Sequence, residues 1–252
     1  MSLPAMRIAF VSDIHGNLPA LEAVVRELEE RGPFDAIIGG GDYAFNGLYP
    51  GECVQRVRAL GWQCVRGNTD EWLVQAATGG AIPVQNCPPE QMHRGDMAAR
   101  DEWAAARLSE DLVAWLAELP LEWSTVGPSG KSLKFVHATP WSAHPAIRAD
   151  ASIEEKREMI ERGGADTLLY GHIHYAYIQP VGEATLACVG AVGLPFDGDP
   201  RACFAIATDG GDGWEIEHVR VNYDNEAYAR ELEASDMPGA PGVAKTVRTG
   251  SQ

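Results

Sequence analysis

The chain has 252 residues, 45% of them hydrophobic, and a formal net charge of −16. That acidity argues against a protein that grips long nucleic acid, because such affinity rests on Lys and Arg neutralising phosphates. No apolar run approaches the ~20 residues that cross a bilayer, and the opening Met1 to Ala5 is too short and uncharged for a secretory signal, so a soluble, cytoplasmic protein is expected.

Arg7 to Ser12 is a short apolar run of strand length, and Leu18 to Glu30 then repeats apolar residues at helical spacing. Asp35 to Ile38 predicts a second strand, Cys53 to Leu60 a second helix and Trp62 to Val65 a third strand. This β-α-β-α-β order implies a parallel sheet with loops at the carboxyl ends of its strands. Thr78 to Gly95 is rich in Gly, Pro and polar residues, and Met97 to Leu108 and Ser109 to Leu119 predict helices. This insert, about 78–120, reads either as a wall beside a site or as a helical addition packed on the core.

From Glu122 onward strands dominate: Ser132 to Val136, Thr167 to Tyr170, Tyr175 to Gln179, Ala184 to Val189, Cys203 to Thr208 and Trp214 to Val221. One helix, Ile153 to Arg162, interrupts them. The pattern predicts a single α/β domain over 6–228, built as a four-layer α/β/β/α sandwich of two stacked mixed sheets flanked by helices. Residues 229–252, Gly- and Pro-rich beyond Asp236, read as a loose tail, and Met1 to Ala5 are expected to carry no fold information. The five cysteines form no CxxC pair and mostly sit among apolar neighbours, which predicts buried free thiols.

Residues with metal-ligand chemistry recur where the predicted strands end: Asp13-Ile14-His15, Gly41-Asp42, Gly67-Asn68, His137 and Gly171-His172-Ile173-His174. Singly each has a plainer reading. Asp13 and His15 could make a turn and helix cap, Gly39 to Asp42 a flexible turn, and Gly67 to Asp70 a helix N-cap. Together they place four of the seven histidines, two aspartates and an asparagine at strand ends, where α/β folds gather their sites. A mixed imidazole and oxygen set without thiolate suits borderline-hard divalent ions.

With these blocks the chain resembles the calcineurin-like metallophosphoesterases, specifically their small bacterial and archaeal phosphodiesterase-like branch. That family's blocks run D-x-H, G-D-x-x-x-x-G, G-N-x-[DE], a lone His and G-H-x-H. Here they are Asp13 to His15, Gly41 to Gly47, Gly67 to Asp70, His137, and Gly171 to His174. The resemblance implies one ion on Asp13, His15 and His174, a second on Asn68, His137 and His172, and Asp42 bridging them. It further implies two divalent ions, Mn²⁺ first, with Fe, Zn, Ni or Mg as alternatives. A hydroxide bridging the ions would attack phosphorus in line, with Asp42, Asn68 and His137 at the reacting centre. The implied substrate is a small phosphodiester, phosphomonoester or nucleotide polyphosphate. A non-catalytic protein-interaction scaffold on the same fold is the alternative, and it would be expected to have lost ligands.

Many relatives carry His after the Asn of the third block; this chain has Thr69. The leaving group is then expected to be intrinsically good, or another residue must assist. His93 and His144 are candidates, with surface or capping roles as the plainer alternative. His137-Ala138-Thr139-Pro140 and Cys188 to Gly193 also depart from common family wording. Tyr43, Asn46, Thr69 and Arg201 are candidate substrate contacts; loop packing would account for Tyr43 and Asn46 equally well, and for Arg201 a surface ion pair is the commoner role.

Overall fold

The computed structural model describes residues 5–252, so of the amino-terminal extension only Ala5 lies within the described residues. Strand β1 (Met6–Val11) is followed by helix α1 (Leu18–Arg31), β2 (Ala36–Gly39), α2 (Pro50–Leu60), β3 (Gln63–Cys64) and α3 (Asn68–Ala77). Helices α4 (Asp96–Ala105) and α5 (Glu110–Glu118) lead to β4 (Glu122–Val126) and β5 (Ser132–Val136). Helix α6 (Ile153–Gly163) precedes β6 (Thr167–Tyr170), β7 (Ala176–Val181), β8 (Ala184–Val189), β9 (Ala202–Asp209) and β10 (Trp214–Val221). The chain ends with α7 (Asn225–Glu233) and α8 (Ala240–Thr249).

Two mixed five-stranded sheets result, in the orders β10-β9-β1-β2-β3 and β4-β5-β6-β8-β7. In the first, β1, β2 and β3 are parallel, β9 runs against them, and the edge strand β10, antiparallel to β9, runs with them. In the second, β5, β6 and β8 are parallel and the edges β4 and β7 are antiparallel. Period-two alternation explains the layering of β1. Ala9 and Val11 face the helical layer of α1 and α2, whereas Ile8 and Phe10 enter the layer between sheets. There Phe10 stacks on Phe135 of the second sheet, ring centroids 5.4 Å apart. On the far side α6 covers the second sheet through Met159, Leu168 and Leu186.

Local signals set the helix starts. The Asn17 side chain accepts from the Ala20 amide at 3.2 Å, capping α1, and Ser152 and Glu155 form a reciprocal capping box on α6. Besides the two carboxyl-terminal helices, strand β4 and the body of helix α3 escape the sequence reading. Strand β4 is an edge strand whose exposed and half-buried residues alternate, so it shows no apolar run. Helix α3 opens with the polar Asn68, Thr69, Asp70 and Glu71, all buried by the site rather than exposed to water.

The expected loose tail requires correction. Tyr228, Ala229, Leu232, Val243, Ala244 and Val247 of α7 and α8 form a buried cluster with Leu194. The Gly and Pro that suggested looseness mark the turn between two helices: Gly239 is left-handed, and Pro241 lies in the first turn of α8, where its missing N–H costs no bond. The Tyr228 hydroxyl donates to the Gly16 carbonyl at 3.1 Å and accepts from the Leu48 amide at 3.0 Å, joining the tail to the loop after β1. The insert is a helical addition: Ala104, Ala105, Leu112, Val113 and Leu116 bury themselves in the same cluster as α1 and α2. Among the described residues no helix is long and apolar enough to cross a membrane.

Candidate metal centre

Parallel strands of both sheets deliver polar side chains to one edge, the carboxyl-terminal edge favoured for sites in α/β folds. Asp13 and His15 follow β1, Asp42 follows β2, Asn68 opens α3 just beyond β3, His137 follows β5, and His172 and His174 follow β6. Donor atoms of Asp13, His15, Asp42 and His174 lie within 4.8 Å of one another, as do those of Asp42, His137 and His172. Asp42 belongs to both groups. Its Oδ2 is 3.6 Å from His15 Nε2 and its Oδ1 is 3.4 Å from His137 Nε2. Asn68 Oδ1 is 2.9 Å from His137 Nε2 and so joins the second group.

The loops reach this arrangement through strained backbone. Asp13, His15, Asp42, His172 and His174 all have φ between 50° and 64°, a region that non-glycine residues rarely adopt and that clusters at functional sites. The loops also interlock: the Asp13 amide donates to Gly41 O at 3.1 Å, the His15 amide to Asp42 O at 2.9 Å, and the His172 amide to Asp13 Oδ2 at 3.0 Å. Gly67 is required by close approach, since a Cβ there would lie 2.0 Å from Asp42 Oδ1. Asp70 stabilises the same crossing by accepting from the amides of Gly67, Asp42 and Tyr43 at 2.7, 2.9 and 3.1 Å.

The imidazole tautomers are legible from their partners. Nδ1 of His15, His137 and His174 faces the carbonyls of Phe45, Gly40 and Leu194 at 2.8, 2.8 and 2.6 Å, so Nδ1 carries the proton. Each Nε2 therefore turns a lone pair inward, the arrangement that metal-ligating histidines use. His15 Nε2 and His174 Nε2 then face one another at 3.1 Å with no proton to share. A cation is the group that satisfies both, so the donor set fits divalent metal.

Titration follows from crowding. Burial pushes the Asp13 carboxyl up, but the imidazoles of His174, His137 and His15 hold it well below the ordinary carboxylate range. Burial also opposes ionisation of Asp42, yet His137 and His15 outweigh it and keep the group low. Burial and the neighbouring His137 lower His172 to about 3. His137 moves the other way: burial lowers it, and Asp42 and Asp13 more than offset that loss. Burial and the charge of Asp42 raise Asp70 to about 7. The set is thus carboxylates kept ionised beside His15 and His172, which are kept neutral.

The four expected substrate contacts fare differently. Tyr43 is fully buried and its hydroxyl donates to Val65 O at 2.7 Å, so it packs the loop and presents nothing to a ligand. Arg201 pairs with Asp199 at 2.5 Å on an exposed loop, leaving it a surface ion pair. Asn46 accepts from Arg100 Nη1 at 3.0 Å through its Oδ1. Thr69 is buried beside the centre: its amide donates to Asp42 Oδ1 at 3.0 Å, and its hydroxyl has no partner among the described residues. His93 and His144 are neither caps nor solvated side chains. His93 Nδ1 meets Asp101 Oδ2 at 2.7 Å beneath the Trp72 ring, and His144 Nε2 meets Glu71 Oε2 at 2.9 Å in full burial.

Sequence reasoning missed Phe196, whose ring stacks on His174 with centroids 4.2 Å apart. It lies 22 positions further along the chain with no motif to mark it. The bracing role of Asp70 was present as a letter of the third block without a task.

The sequence profile of the calcineurin-like phosphoesterase superfamily domain matches residues 6–210. An uncharacterized protein of Methanocaldococcus jannaschii is 29% identical, the match covering 92% of this chain and 93% of that one. The crystal structure of a metallophosphoesterase from Sphaerobacter thermophilus superposes with a TM-score of 0.74 at 24% identity, covering 98% of this chain and all of its own. A hypothetical protein from Pyrococcus horikoshii OT3 superposes with a TM-score of 0.80 at 19% identity, covering 98% and 99%. With most of its length matched by that profile, and its two sheets stacked as in these structures, the chain belongs to the calcineurin-like phosphoesterase superfamily.

Proposed function

We propose that the protein is a two-metal phosphoesterase that hydrolyses a small phosphodiester, phosphomonoester or nucleotide polyphosphate. The observation that carries this reading is the pair of donor groups sharing Asp42, with the lone pairs of His15 and His174 turned on each other at 3.1 Å. Asp13, His15 and His174 would hold one cation, Asn68, His137 and His172 the other, and Asp42 both. Divalent ions held there supply Lewis acidity toward a phosphoryl oxygen and lower the pKa of a water, with Mn²⁺ the expected ion and Fe, Zn, Ni or Mg as alternatives.

The chain's own residues set the rest. The carbonyls of Gly40, Phe45 and Leu194 fix three imidazoles in the donor tautomer, and Asp70 keeps the Asp42 turn against Gly67. Thr69 can donate a hydrogen bond toward the centre but does not release a proton near neutral pH. Leaving groups that depart as weak bases, such as aryl oxides or nucleotide phosphates, are therefore favoured. The five thiols are all free, which supports a reducing compartment, the cytoplasm. A scaffold role would tolerate loss of ligands, and none of the seven is missing.

The test is hydrolysis of bis-p-nitrophenyl phosphate, p-nitrophenyl phosphate and diadenosine tetraphosphate by metal-stripped protein, with and without Mn²⁺. Turnover restored by the metal is expected, and the preferred substrate chooses among the three reactions. Silence on all three, in protein that elemental analysis finds unable to take up metal, would overturn the reading.

A further inference from the structure

Beside His172 the surface opens into a recess of about 520 Å³ whose lining differs from the polar centre. Its walls include Ile173 and Tyr175 from the turn after β6, Phe196 from the loop after β8, and Arg148 and Ala149 from the segment before α6. Tyr175 is 36% exposed although its neighbours Ile173 and His174 are buried. Phe196 lays one face on His174 and is itself only half-buried. Arg148 pairs with Asp150 at 3.2 Å, with both side chains more than two-thirds exposed, so this rim carries an ion pair. The recess between α3, α4 and α5 and the one beneath α1, of about 610 and 400 Å³, include none of the seven donor residues in their linings.

A phosphoryl group held at the His172 side of the centre would direct one of its substituents into this recess. The volume is that of an ordinary small-molecule site, large enough for one nucleoside and too small for a polymer. We infer that the recess binds the organic group of the substrate and selects a planar aromatic one, a nucleobase or aryl ring, stacked against Tyr175 and Phe196. This rests on the hydrolase reading and narrows its substrate class to aromatic phosphoesters. Stacking of a base on an aromatic side chain contributes about tenfold or more in affinity and tolerates any base, because every base has a π face.

The test compares adenosine 5′-monophosphate with ribose 5-phosphate by calorimetry on the full chain loaded with Mn²⁺, alongside turnover of bis-p-nitrophenyl phosphate. The two ligands share the phosphate and the sugar and differ only in the base. Adenosine 5′-monophosphate should bind at least about tenfold more tightly. Tyr175→Ala should shrink that gap to about twofold, and Ala149→Trp, which fills the recess, should abolish it. Equal binding of the two ligands by a protein that turns over the diester would overturn the recess and leave the hydrolase. A tenfold gap that survives both substitutions would place the base elsewhere and overturn it too. Selective binding that both variants erase, without metal-dependent turnover, would support the recess and overturn the hydrolase instead.

Discussion

The loops at the strand ends and the two carboxyl-terminal helices are both buried, but for opposite physical reasons. The loops bury carboxylates and imidazoles, hold five of them at left-handed φ, and turn two lone pairs on each other. The helices bury Tyr228, Leu232 and Val247 in regular backbone, with Asp224 capping the start of α7 and left-handed Gly250 closing α8. The first region gathers features that destabilise a metal-free fold; the second contributes ordinary apolar stabilisation. Tyr228 connects them, since its hydroxyl reaches Gly16 and Leu48, which flank the site loops. Function and stability are thus held by separate parts of the chain, linked at Tyr228 and at Leu194, which packs with the helices while its carbonyl accepts from His174.

The largest test of that separation is Asp42→Asn, which keeps an oxygen able to accept from the Thr69 amide but removes the charge shared by both donor groups. Losing several kcal/mol of transition-state stabilisation should cost about a thousandfold in kcat/KM. The metal-free protein should unfold at the same urea midpoint as the parent or a higher one. A markedly lower midpoint would show that the site loops also hold the fold together. Leu232→Ala should show the reverse: about 2–5 kcal/mol lost in urea unfolding, with metal content and kcat/KM of the folded fraction retained. Activity lost in step with metal from still-folded protein would break the comparison.

How far the sequence reaches differs between the same two regions. Metal-ligand chemistry needs particular residue types at short spacings on strand ends, so Asp13-Ile14-His15 and Gly171-His172-Ile173-His174 are readable as letters. Eight of the strands, β1, β2, β3, β5, β6, β8, β9 and β10, are likewise readable to within a residue because they are runs of apolar or alternating residues. The tail is opaque because Gly239 and Pro241 look the same in a tight interhelical turn as in a loose segment. Val243, Ala244 and Val247 also form too small an apolar face to stand out. Tyr43 misleads for a related reason: its place beside Asp42 in sequence says nothing of the inward turn that gives its hydroxyl to Val65. Phe196 and Tyr175 line one recess only because β8 and its loop return past β6, a tertiary fact without local trace.

Tyr228→Phe probes the first of these links. It removes one hydroxyl that is both donor and acceptor, leaving the Leu48 amide to find another partner while the Gly16 carbonyl keeps the Tyr49 amide at 3.0 Å. About 1–2 kcal/mol of stability should be lost. Because Gly16 follows His15, Mn²⁺ affinity measured by calorimetry should also weaken, by less than tenfold. Unchanged affinity would mean that this hydroxyl supports the fold alone.

The smallest effect is expected at the far end of the tail, where the Gly198 amide donates to the Gly250 carbonyl at 2.8 Å and the neighbouring Asp199 pairs with Arg201. The Arg201 side chain holds the Asp199 carboxyl down to about 2, against a burial effect that raises it. A carboxyl whose folded pKa lies below its ordinary value of 3.8 contributes stability that is complete above about pH 4 and lost as pH falls through about 2. Asp199→Asn should therefore flatten the acid limb of the stability curve between those values, and at neutral pH cost at most about 1 kcal/mol, as an exposed pair does. Leu232→Ala should instead lower the whole curve evenly, since it removes no titrating group. An acid limb of unchanged slope in Asp199→Asn would show that the pair contributes no stability between those pH values.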